Sequence, residues 1–316
     1  MAMGIKITNP EQKTWYGAKI EVDLFGKKGT YRFTNFHPKG YGVQITGEIN
    51  GGDGGSPATN TVSLYNLSKE HEALFKKKMH IVVKAGGYDI FGVIGVGNIT
   101  KVSPEAIDGE DRYISITFVA GKDYSKSKNI YSTYSSTTQV KHSYKTSKGQ
   151  TITWTTSKKK NISIRFKKGV KAKTIIQRIS RDADIPIATL SLKKNKVYKH
   201  GYTLSKRPMT AMKEIVKDCG SRLWYRMDDV VIDYEEKPKT WDTHLYLTLK
   251  DGLVNMPTPS EEDGKKDSWT IVTYLNPLVS IGSVFYVAAN IKGLVRVKSY
   301  THSLDDMQTT CEVEVI

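Results

Sequence analysis

The stretch TVSLYNLSKEHEALFKKKMHIVVKAGG, Thr61–Gly87, places a short helical segment between two strand-like segments and ends on a pair of glycines. Ser68 is a favourable N-cap, and the pattern that follows predicts a helix over residues 68–78. A helix of this length is not stable alone, so Leu74 and Phe75 are expected to pack it against the strands. The stretch therefore predicts a β-rich fold with one short crossing helix.

The chain on either side of this stretch, from Lys19 to Gly121, also has the features of strands. KIEVDLFGKKGTYRFTNF reads as a hairpin that turns at Gly26–Gly29, and the later segments are short and bounded by Gly, Asp or Pro. Short strands at this spacing favour an antiparallel barrel or sandwich over a parallel sheet. Residues 1–121 are predicted to be a first β domain, either a barrel or a sandwich.

The composition changes sharply in residues 122–160, where Ser, Thr, Tyr and Lys dominate and acidic residues almost vanish. A long projecting β arm and a flexible, compositionally biased linker both fit this segment. The sequence leaves the two alternatives open.

Residues 161–240 read as a compact α/β module. KAKTIIQRISRDADIP is predicted to be a helix with isoleucines on one face, and PMTAMKEIVKDCG a second helix that starts near Pro208 and ends at Gly220. The hairpin RLWYRMDDVVIDYEE follows. The strand-like segments of residues 241–316 then predict a second β domain, which could duplicate the first without detectable sequence repetition.

The composition bounds the possible functions. The chain has 316 residues, 48 Lys+Arg against 32 Asp+Glu, and a formal net charge of +16. This charge would attract polyanions or acidic proteins, although the sequence contains no recognised nucleic-acid-binding motif. No stretch approaches the roughly 20 apolar residues of a membrane helix, so no membrane insertion is expected. The two cysteines are too few for a disulfide framework.

Cys219 is the first candidate nucleophile, with His200 or His244 as its base. A catalytic thiolate needs an accessible position near a base. The helical spacing instead places Cys219 on the apolar face of its helix, which predicts a buried structural thiol.

Metal and phosphate sites are also weakly supported. The seven histidines include no HExxH pattern, and His302 lies near Asp305 and Asp306 only in what reads as a turn. FGVIGVGNI, residues 91–99, contains three glycines but is followed by more strand, so the glycines are expected to allow a bulge or close packing.

The adjacent carboxylate pairs Glu235–Glu236 and Glu261–Glu262 lie in predicted loops. Two catalytic carboxylates need to face each other across a cleft on rigid elements, which adjacency does not provide. The sequence therefore predicts no catalytic, cofactor-binding or metal-binding residues, and a binding or structural role.

The order of three segments resembles phage baseplate hub proteins of contractile tails, including hubs of Gram-positive prophages. The segments are VSLYNLSKEHEALFKKKMHIVVKAGGY with IFGVIGVGNITKV, KAKTIIQRISRDADIP with MTAMKEIVKDCGSRLWYRMDDVVIDY, and GLVNMPTPSEED with WTIVTYLNPLVSIGSVFYVAANIKGLVRVKSYTHSLDD. They cover most of the chain and leave residues 122–160 outside.

The resemblance implies a mainly β protein with two tail-tube-like antiparallel barrels and a small α/β domain. It implies a non-enzymatic hub, a homotrimer whose ring joins a hexameric tail tube to the central spike and lines the channel. The tail tube protein, the spike and other baseplate proteins would be its partners, with DNA passing transiently through the channel. The expected location is the baseplate of a virion tail made in the bacterial cytoplasm. A tail-associated cell-wall hydrolase and a basic nucleic-acid-binding protein remain alternatives.

Overall fold

The computed structural model describes residues 7–8, 17–26, 29–36, 42–52, 57–87, 89–121, 124, 137–145, 151–159, 164–226, 229–234, 244–260 and 268–316. Most of the described residues lie in strands, and the three helices among them are short, so the protein is mainly β. The predicted β-rich class is thereby confirmed.

The described residues form 24 strands and three helices. The strands that precede the second helix are β1 Ile7–Thr8, β2 Lys19–Gly26, β3 Gly29–Thr34, β4 Ile45–Gly52, β5 Thr59–Tyr65, β6 His80–Gly86, β7 Phe91–Val102, β8 Ala106–Asp108, β9 Asp111–Ala120, β10 Thr137–Lys145, β11 Thr151–Lys159, β12 Ile164–Phe166 and β13 Val170–Lys171. The later strands are β14 Ile187–Leu190, β15 Val197–Tyr198, β16 Tyr202–Leu204, β17 Arg222–Arg226, β18 Asp229–Asp233, β19 His244–Thr248, β20 Thr258–Pro259, β21 Ser268–Tyr274, β22 Val284–Ala288, β23 Lys292–Ser303 and β24 Gln308–Val315. The helices are α1 Lys69–Glu72, α2 Ala172–Ala183 and α3 Pro208–Asp218.

One sheet of 15 strands dominates the topology, and its main path runs β1-β19-β22-β23-β4-β5-β9-β7-β6-β2-β3. Four smaller sheets pair β10 with β11, β12 with β16, β13 with β15, and β14, β18 and β17 in that order. The chain divides into two compact units, the first of residues 1–123, 223–231 and 235–316 and the second of residues 124–222 and 232–234. Within the first unit we call β2–β9 the first lobe and β19–β24 the second lobe.

Along the strands of the first lobe, buried residues alternate with residues on the other face of the sheet. In β5 the residues Val62 and Leu64 face inward, and their neighbours point to the other face of the sheet. The predicted hairpin at Gly26–Gly29 is confirmed, because these two residues pair at the end of the β2–β3 ladder. The alternating apolar residues of all its strands form one buried core.

The short helix is present but shorter than the predicted span 68–78. α1 covers only Lys69–Glu72, with the Ser68 hydroxyl accepting a hydrogen bond from the His71 amide at 3.3 Å. The chain turns out of the helix because Phe75 is buried in the first-lobe core and Lys78 has a left-handed φ of 71°. The predicted cap and the packing of Leu74 and Phe75 are therefore confirmed, and the predicted C-terminal end is wrong.

The glycines of β7 serve close packing. A Cβ on Gly97 would lie 2.1 Å from the Val119 carbonyl oxygen, and one on Gly95 would lie 3.0 Å from Ile49. The β6–β7 register shifts beside Gly95, which marks a bulge. The sequence expectation that these glycines allow a bulge or close packing is confirmed.

The second lobe repeats the strand order of the first. The path β4-β5-β9-β7-β6-β2 of the first lobe corresponds to β20-β21-β24-β23-β22-β19 of the second. The second lobe has its own core, which includes Phe285, Val295 and Cys311. It differs in that β19 pairs parallel to β22 and to the N-terminal strand β1.

Individual backbone hydrogen bonds support this correspondence. Ile99 accepts from Lys78 N at 2.7 Å and donates to Met79 O at 2.9 Å, while Val297 accepts from Gly282 N at 2.9 Å and donates to Ser283 O at 3.0 Å. The register of the next ladder shifts directly after Ile99 in β7 and directly after Val297 in β23. Ile99 and Val297 thus hold equivalent positions in the two lobes.

The second unit contains α2 and α3. Ala172, Ile175, Ile176 and Ile179 are buried along one face of α2, as predicted. α3 begins at Pro208 and buries its apolar face, and Gly220 follows with a φ of 67° that favours glycine.

The segment 122–160 contains the hairpin of β10 and β11, in which nine residue pairs run from Thr137–Lys159 to Lys145–Thr151. Among the described residues these two strands pair only with each other. The remainder of the segment, apart from Tyr124, lies outside the described residues.

Candidate assembly surface

The two lobes join along an edge-to-edge ladder, which we call the seam. The C-terminal half of β23 pairs antiparallel with β4, from Ser299 opposite Gly52 to Ser303 opposite Glu48. β22 lies beside only the first half of β23, which leaves the second half free to bind β4. One strand therefore belongs to both lobes.

Side chains also connect the two strands of the seam. The Thr301 hydroxyl donates to the Asn50 side-chain carbonyl at 2.7 Å, and the Leu304 amide donates to the Gly47 carbonyl at 2.9 Å. Leu304 and Leu275, both from the C-terminal part of the chain, are buried in the first-lobe core. The seam is thus part of the packed interior and not a loose contact.

Gly51 allows the strands to approach at the seam. A Cβ at this position would lie 2.3 Å from the Tyr300 ring. A Cβ on the next residue, Gly52, would meet nothing within 4 Å. Only one of the two adjacent glycines is therefore required by packing.

His302 is buried on the core side of the seam, with 1% of its surface exposed. Its Nδ1 lies 2.7 Å from the Thr309 hydroxyl, which also accepts from the Asn276 amide at 3.3 Å. Burial lowers the pKa of His302 to about 3, and a hydrogen bond to the Val279 backbone only partly offsets this effect. The imidazole is therefore neutral and structural.

The other face of the continuous sheet, which we call the hydroxyl face, carries many Ser and Thr side chains. The strand register arranges the residues of this face in rows that cross β9, β5, β4 and β23. One such row consists of Thr117, Thr61, Glu48 and Ser303. The hydroxyl side chains of this face are Thr46, Thr59, Thr61, Ser63, Ser115, Thr117, Thr270, Ser299, Thr301, Ser303 and Thr310.

Several charges on the hydroxyl face neutralise one another. Glu314 lies 3.0 Å from Lys298 and 3.8 Å from Arg296. Glu48 and Glu312 add two further carboxylates, and Lys101 adds a cation at the end of β7. Among these residues of β4, β7, β23 and β24, three cations are matched by three carboxylates, although the whole chain is strongly basic.

A second charged cluster lies on β2, β3 and β6 of the first lobe. Asp23 is buried and accepts from Arg32 at 2.7 and 3.1 Å and from Lys84 at 2.8 Å. Burial raises the pKa of Asp23, but the hydrogen bonds from Arg32 and Lys84 outweigh burial and hold the pKa below its usual value. The cluster ties the three strands β2, β3 and β6 together.

Among the described residues, the candidate nucleophile of the sequence is not an accessible thiol. Cys219 is fully buried at the end of α3, while His200 is exposed in a turn and His244 lies in β19. His302 points to the core side, whereas Asp305 and Asp306 are exposed in the turn before β24. Glu235, Glu236, Glu261 and Glu262 lie outside the described residues.

No group of three or more His, Cys, Asp or Glu side chains among the described residues is arranged to hold a metal ion. No helix in the described ranges has both the length and the hydropathy to cross a bilayer.

Known structures resemble this fold over nearly its whole length. The 43 kDa tail protein of prophage MuSo2 from Shewanella oneidensis aligns with a TM-score of 0.58 at 11% identity, over 94% of this chain and 98% of that one. A tail protein from Neisseria meningitidis MC58 aligns with a TM-score of 0.54 at 11% identity, over 95% and 97%. The E. coli c3393 protein, a type VI secretion component described as similar to the T4 tail proteins gp27 and gp5, aligns with a TM-score of 0.50 at 9% identity, over 87% and 74%. No protein-family model and no curated protein sequence matches the chain.

Proposed function

Because the chain has the fold of phage tail proteins, we propose that it is a structural baseplate hub of a phage or phage-like tail. Three copies form a ring that joins the hexameric tail tube to the central spike. The observation that carries this proposal is the seam, where two lobes of like topology lie edge to edge in one chain. Three such chains supply six lobes, the number needed to match a hexameric tube.

In this proposal each lobe is a tail-tube-like barrel, residues 1–121 and 241–316, with an α/β domain over residues 161–240 and an arm or linker over 122–160. One hydrogen bond in the first lobe supports its closure into a barrel. The Val43 amide, just before β4, donates to the Thr34 carbonyl of β3 at 2.9 Å. β3 and β4 lie at opposite ends of the first-lobe strand order, so this bond brings its two edges together.

The hydroxyl face forms the channel wall. Lysine-rich surfaces bind DNA through its phosphates, and this binding would retard DNA in transit. On this face Lys298 and Arg296 share the carboxylate of Glu314, which weakens their attraction for a phosphate. The basic residues responsible for the net charge then lie on outer surfaces or in residues 122–160.

The hub acts without catalysis, in the tail of the assembled virion. Its partners are two further copies of itself, the tail tube protein, the spike and other baseplate proteins. The burial of Cys219 disfavours a thiol-dependent cell-wall hydrolase.

The mass of the purified protein in solution, alone and with its spike protein, tests this proposal. We expect a trimer in at least the sample that contains the spike. A chain that remains monomeric with the spike present would contradict the hub assignment.

A Thr117→Lys variant tests the channel wall. We expect particles of normal composition that release DNA more slowly, because each ring gains three cations on the hydroxyl face. Thr210→Lys, on an exposed position of α3, is the matched control and should not change the release rate. Equal release rates for the two variants would remove the hydroxyl face from the channel.

A further inference from the structure

We infer that a lysine-rich surface of the second unit is the docking site of a different tail protein, one that presents an acidic surface. The inference rests on the proposed function, because a baseplate hub has other proteins as permanent neighbours. We call this area the lysine surface, and its exposed members are Lys167, Lys168, Lys171, Lys173, Lys194 and Lys199. The occupant is thus a protein rich in exposed carboxylates.

The first step is the division of charge between the two units. The second unit, residues 124–222 and 232–234, contains 24 Lys and Arg against 5 Asp and Glu, a formal charge of +19. The first unit contains 24 Lys and Arg against 27 Asp and Glu, a formal charge of −3. The second unit therefore carries the whole positive charge of the chain.

The second step is that two segments, 167–173 and 194–199, bring the six lysines together. The strand β13 belongs to the first segment and pairs antiparallel with β15 of the second. The Ala172 amide, at the start of α2, also donates to the Lys196 carbonyl at 2.8 Å. The two segments therefore run side by side and form one continuous basic surface.

The third step is that carboxylates near these segments lie with other cations. Asp182 lies 2.5 Å from Arg178, and Asp218 lies 2.9 Å from Lys196. Within the described ranges, none of the six lysines forms an ion pair with a carboxylate. The lysine surface therefore keeps its charge for an external partner.

The fourth step is that folding does not account for two of these lysines. Lys171 is the N-cap residue of α2 and Lys173 lies in its first turn, which contains no acidic residue and no side-chain cap. Helices are stabilised by Ser, Thr, Asp or Asn at the N-cap and by carboxylates in the first turn, because this end of the helix dipole is positive. The two lysines oppose the helix that they begin, which points to a role in binding.

The fifth step favours a protein over a nucleic acid as the occupant. Val197, opposite Lys171 in the β13–β15 pair, has 47% of its surface exposed, and an apolar residue ringed by charges fits a protein interface. The Tyr198 ring contacts the Tyr202 ring at 5.0 Å and lies under Lys196 Nζ at 5.3 Å, so it is already engaged and is not an open platform for a base. In the proposed hub, a surface that held the phosphates of DNA would also retard its transit.

The charge balance argues against a second copy of this chain as the occupant. The second unit of another copy is strongly positive and would be repelled, while the first unit has a formal charge of only −3. The acidic partner is therefore a different protein.

Zero-length cross-linking of assembled tails tests the contact. A carbodiimide joins a lysine amine to a carboxylate that touches it, as an amide formed with loss of one water. Mass spectrometry should find lysines of the lysine surface joined to Asp or Glu residues of a protein other than the hub. Links from these lysines only to carboxylates of the hub itself would overturn the inference.

Amine labelling distinguishes the other possible occupants. The six lysines should react with acetic anhydride more slowly in assembled tails than in the purified protein. Equal reactivity in the two samples would show that nothing covers the surface and would refute the inference. Protection that a nuclease removes would assign the surface to DNA and refute it as well.

The variant Lys171→Glu/Lys173→Glu reverses the charge without opposing the fold, since carboxylates suit the start of a helix. The amount of the cross-linked neighbour in purified tails should fall at least about tenfold, because like charges then face each other across the contact. Lys171→Arg/Lys173→Arg keeps the charge and should retain the neighbour. Arg178→Glu/Arg181→Glu, the same change of charge near the other end of α2, is the matched control and should also retain it.

The possible results separate this inference from the proposed function. A trimeric hub whose Lys171→Glu/Lys173→Glu variant keeps the full amount of the neighbour would overturn the inference and leave the hub assignment standing. An equal loss in the Arg178→Glu/Arg181→Glu control would show that net charge holds the neighbour and would also overturn it. A wild-type protein that stays monomeric with the spike present would remove both.

Discussion

His302 Nδ1 and Thr309 Oγ1 lie 2.7 Å apart on the adjacent strands β23 and β24, next to the seam. The thermodynamic consequence is acid sensitivity. The unfolded chain protonates this imidazole near a pKa of about 6.5, whereas the folded protein does so only near about 3. At a pH between these two pKa values, the unfolded state binds more protons than the folded state does. The folded state therefore loses stability as the pH falls through this range.

The free energy of unfolding should therefore decrease by about 1 kcal/mol between pH 6 and pH 5 through His302 alone. Urea denaturation at several pH values measures this slope, and His302→Gln should flatten it. His200→Gln, at an exposed position, is the control and should leave the slope unchanged. A wild-type slope that survives His302→Gln would refute the assignment.

Gly51 and Gly52 should respond differently to the same substitution. Gly51→Ala forces its Cβ against the Tyr300 ring and should cost about 1–3 kcal/mol of unfolding free energy. Gly52→Ala has open space around its Cβ and should change stability by less than about 0.5 kcal/mol. Equal melting temperatures for the two variants would show that the seam does not pack as described.

Asp23→Asn should destabilise the first lobe. The variant keeps the shape of the side chain but removes the charge that Arg32 and Lys84 share, at a cost of about 2 kcal/mol. The fold lowers the pKa of Asp23. The charged carboxylate therefore contributes its full stability at pH values above the ordinary pKa of an aspartate. This contribution is lost as the pH falls from that value through the lowered pKa of the folded protein. Chemical denaturation at neutral pH is the measurement.

Glu214→Gln is the matched control for Asp23→Asn, since the ion pair of Glu214 with Lys206 is exposed. It should cost less than about 0.5 kcal/mol. A loss as large as that of Asp23→Asn would indicate that burial does not set the strength of these pairs.

Both thiols should be unreactive in the folded protein. Cys219 and Cys311 are buried, and burial raises the pKa of Cys311 to about 12. A thiol reagent should label neither cysteine in native buffer and both in denaturant. Rapid native labelling of Cys219, together with peptidoglycan cleavage that Cys219→Ala abolishes, would restore the hydrolase alternative.

Local patterns in the sequence predict much of this fold. Alternation identifies strands such as β5, helical spacing identifies the buried face of α2, and Gly220 marks the end of α3. These features depend on neighbours within a few residues, and a single sequence contains that information.

The seam and the end of α1 could not be predicted in the same way. The hydrogen bond between Thr301 and Asn50 joins residues 251 positions apart, and no local pattern marks such a pairing. α1 ends early because Phe75 enters the core, which depends on its contacts with Phe33 and other distant residues. His302 reads as a turn residue near two aspartates, but its place in β23 is set by the ladder with β4.

The seam also orders the events of synthesis and folding. β4 is made early, but the strand that pairs with it and two leucines of the first-lobe core, Leu275 and Leu304, are made almost 230 to 260 residues later. The first lobe therefore cannot complete its interior until Leu304 has emerged from the ribosome, and its folding is slow because distant segments must meet. During this interval the open edge of β4 is exposed, so the nascent chain depends on dilution or chaperones to avoid pairing with the wrong strand.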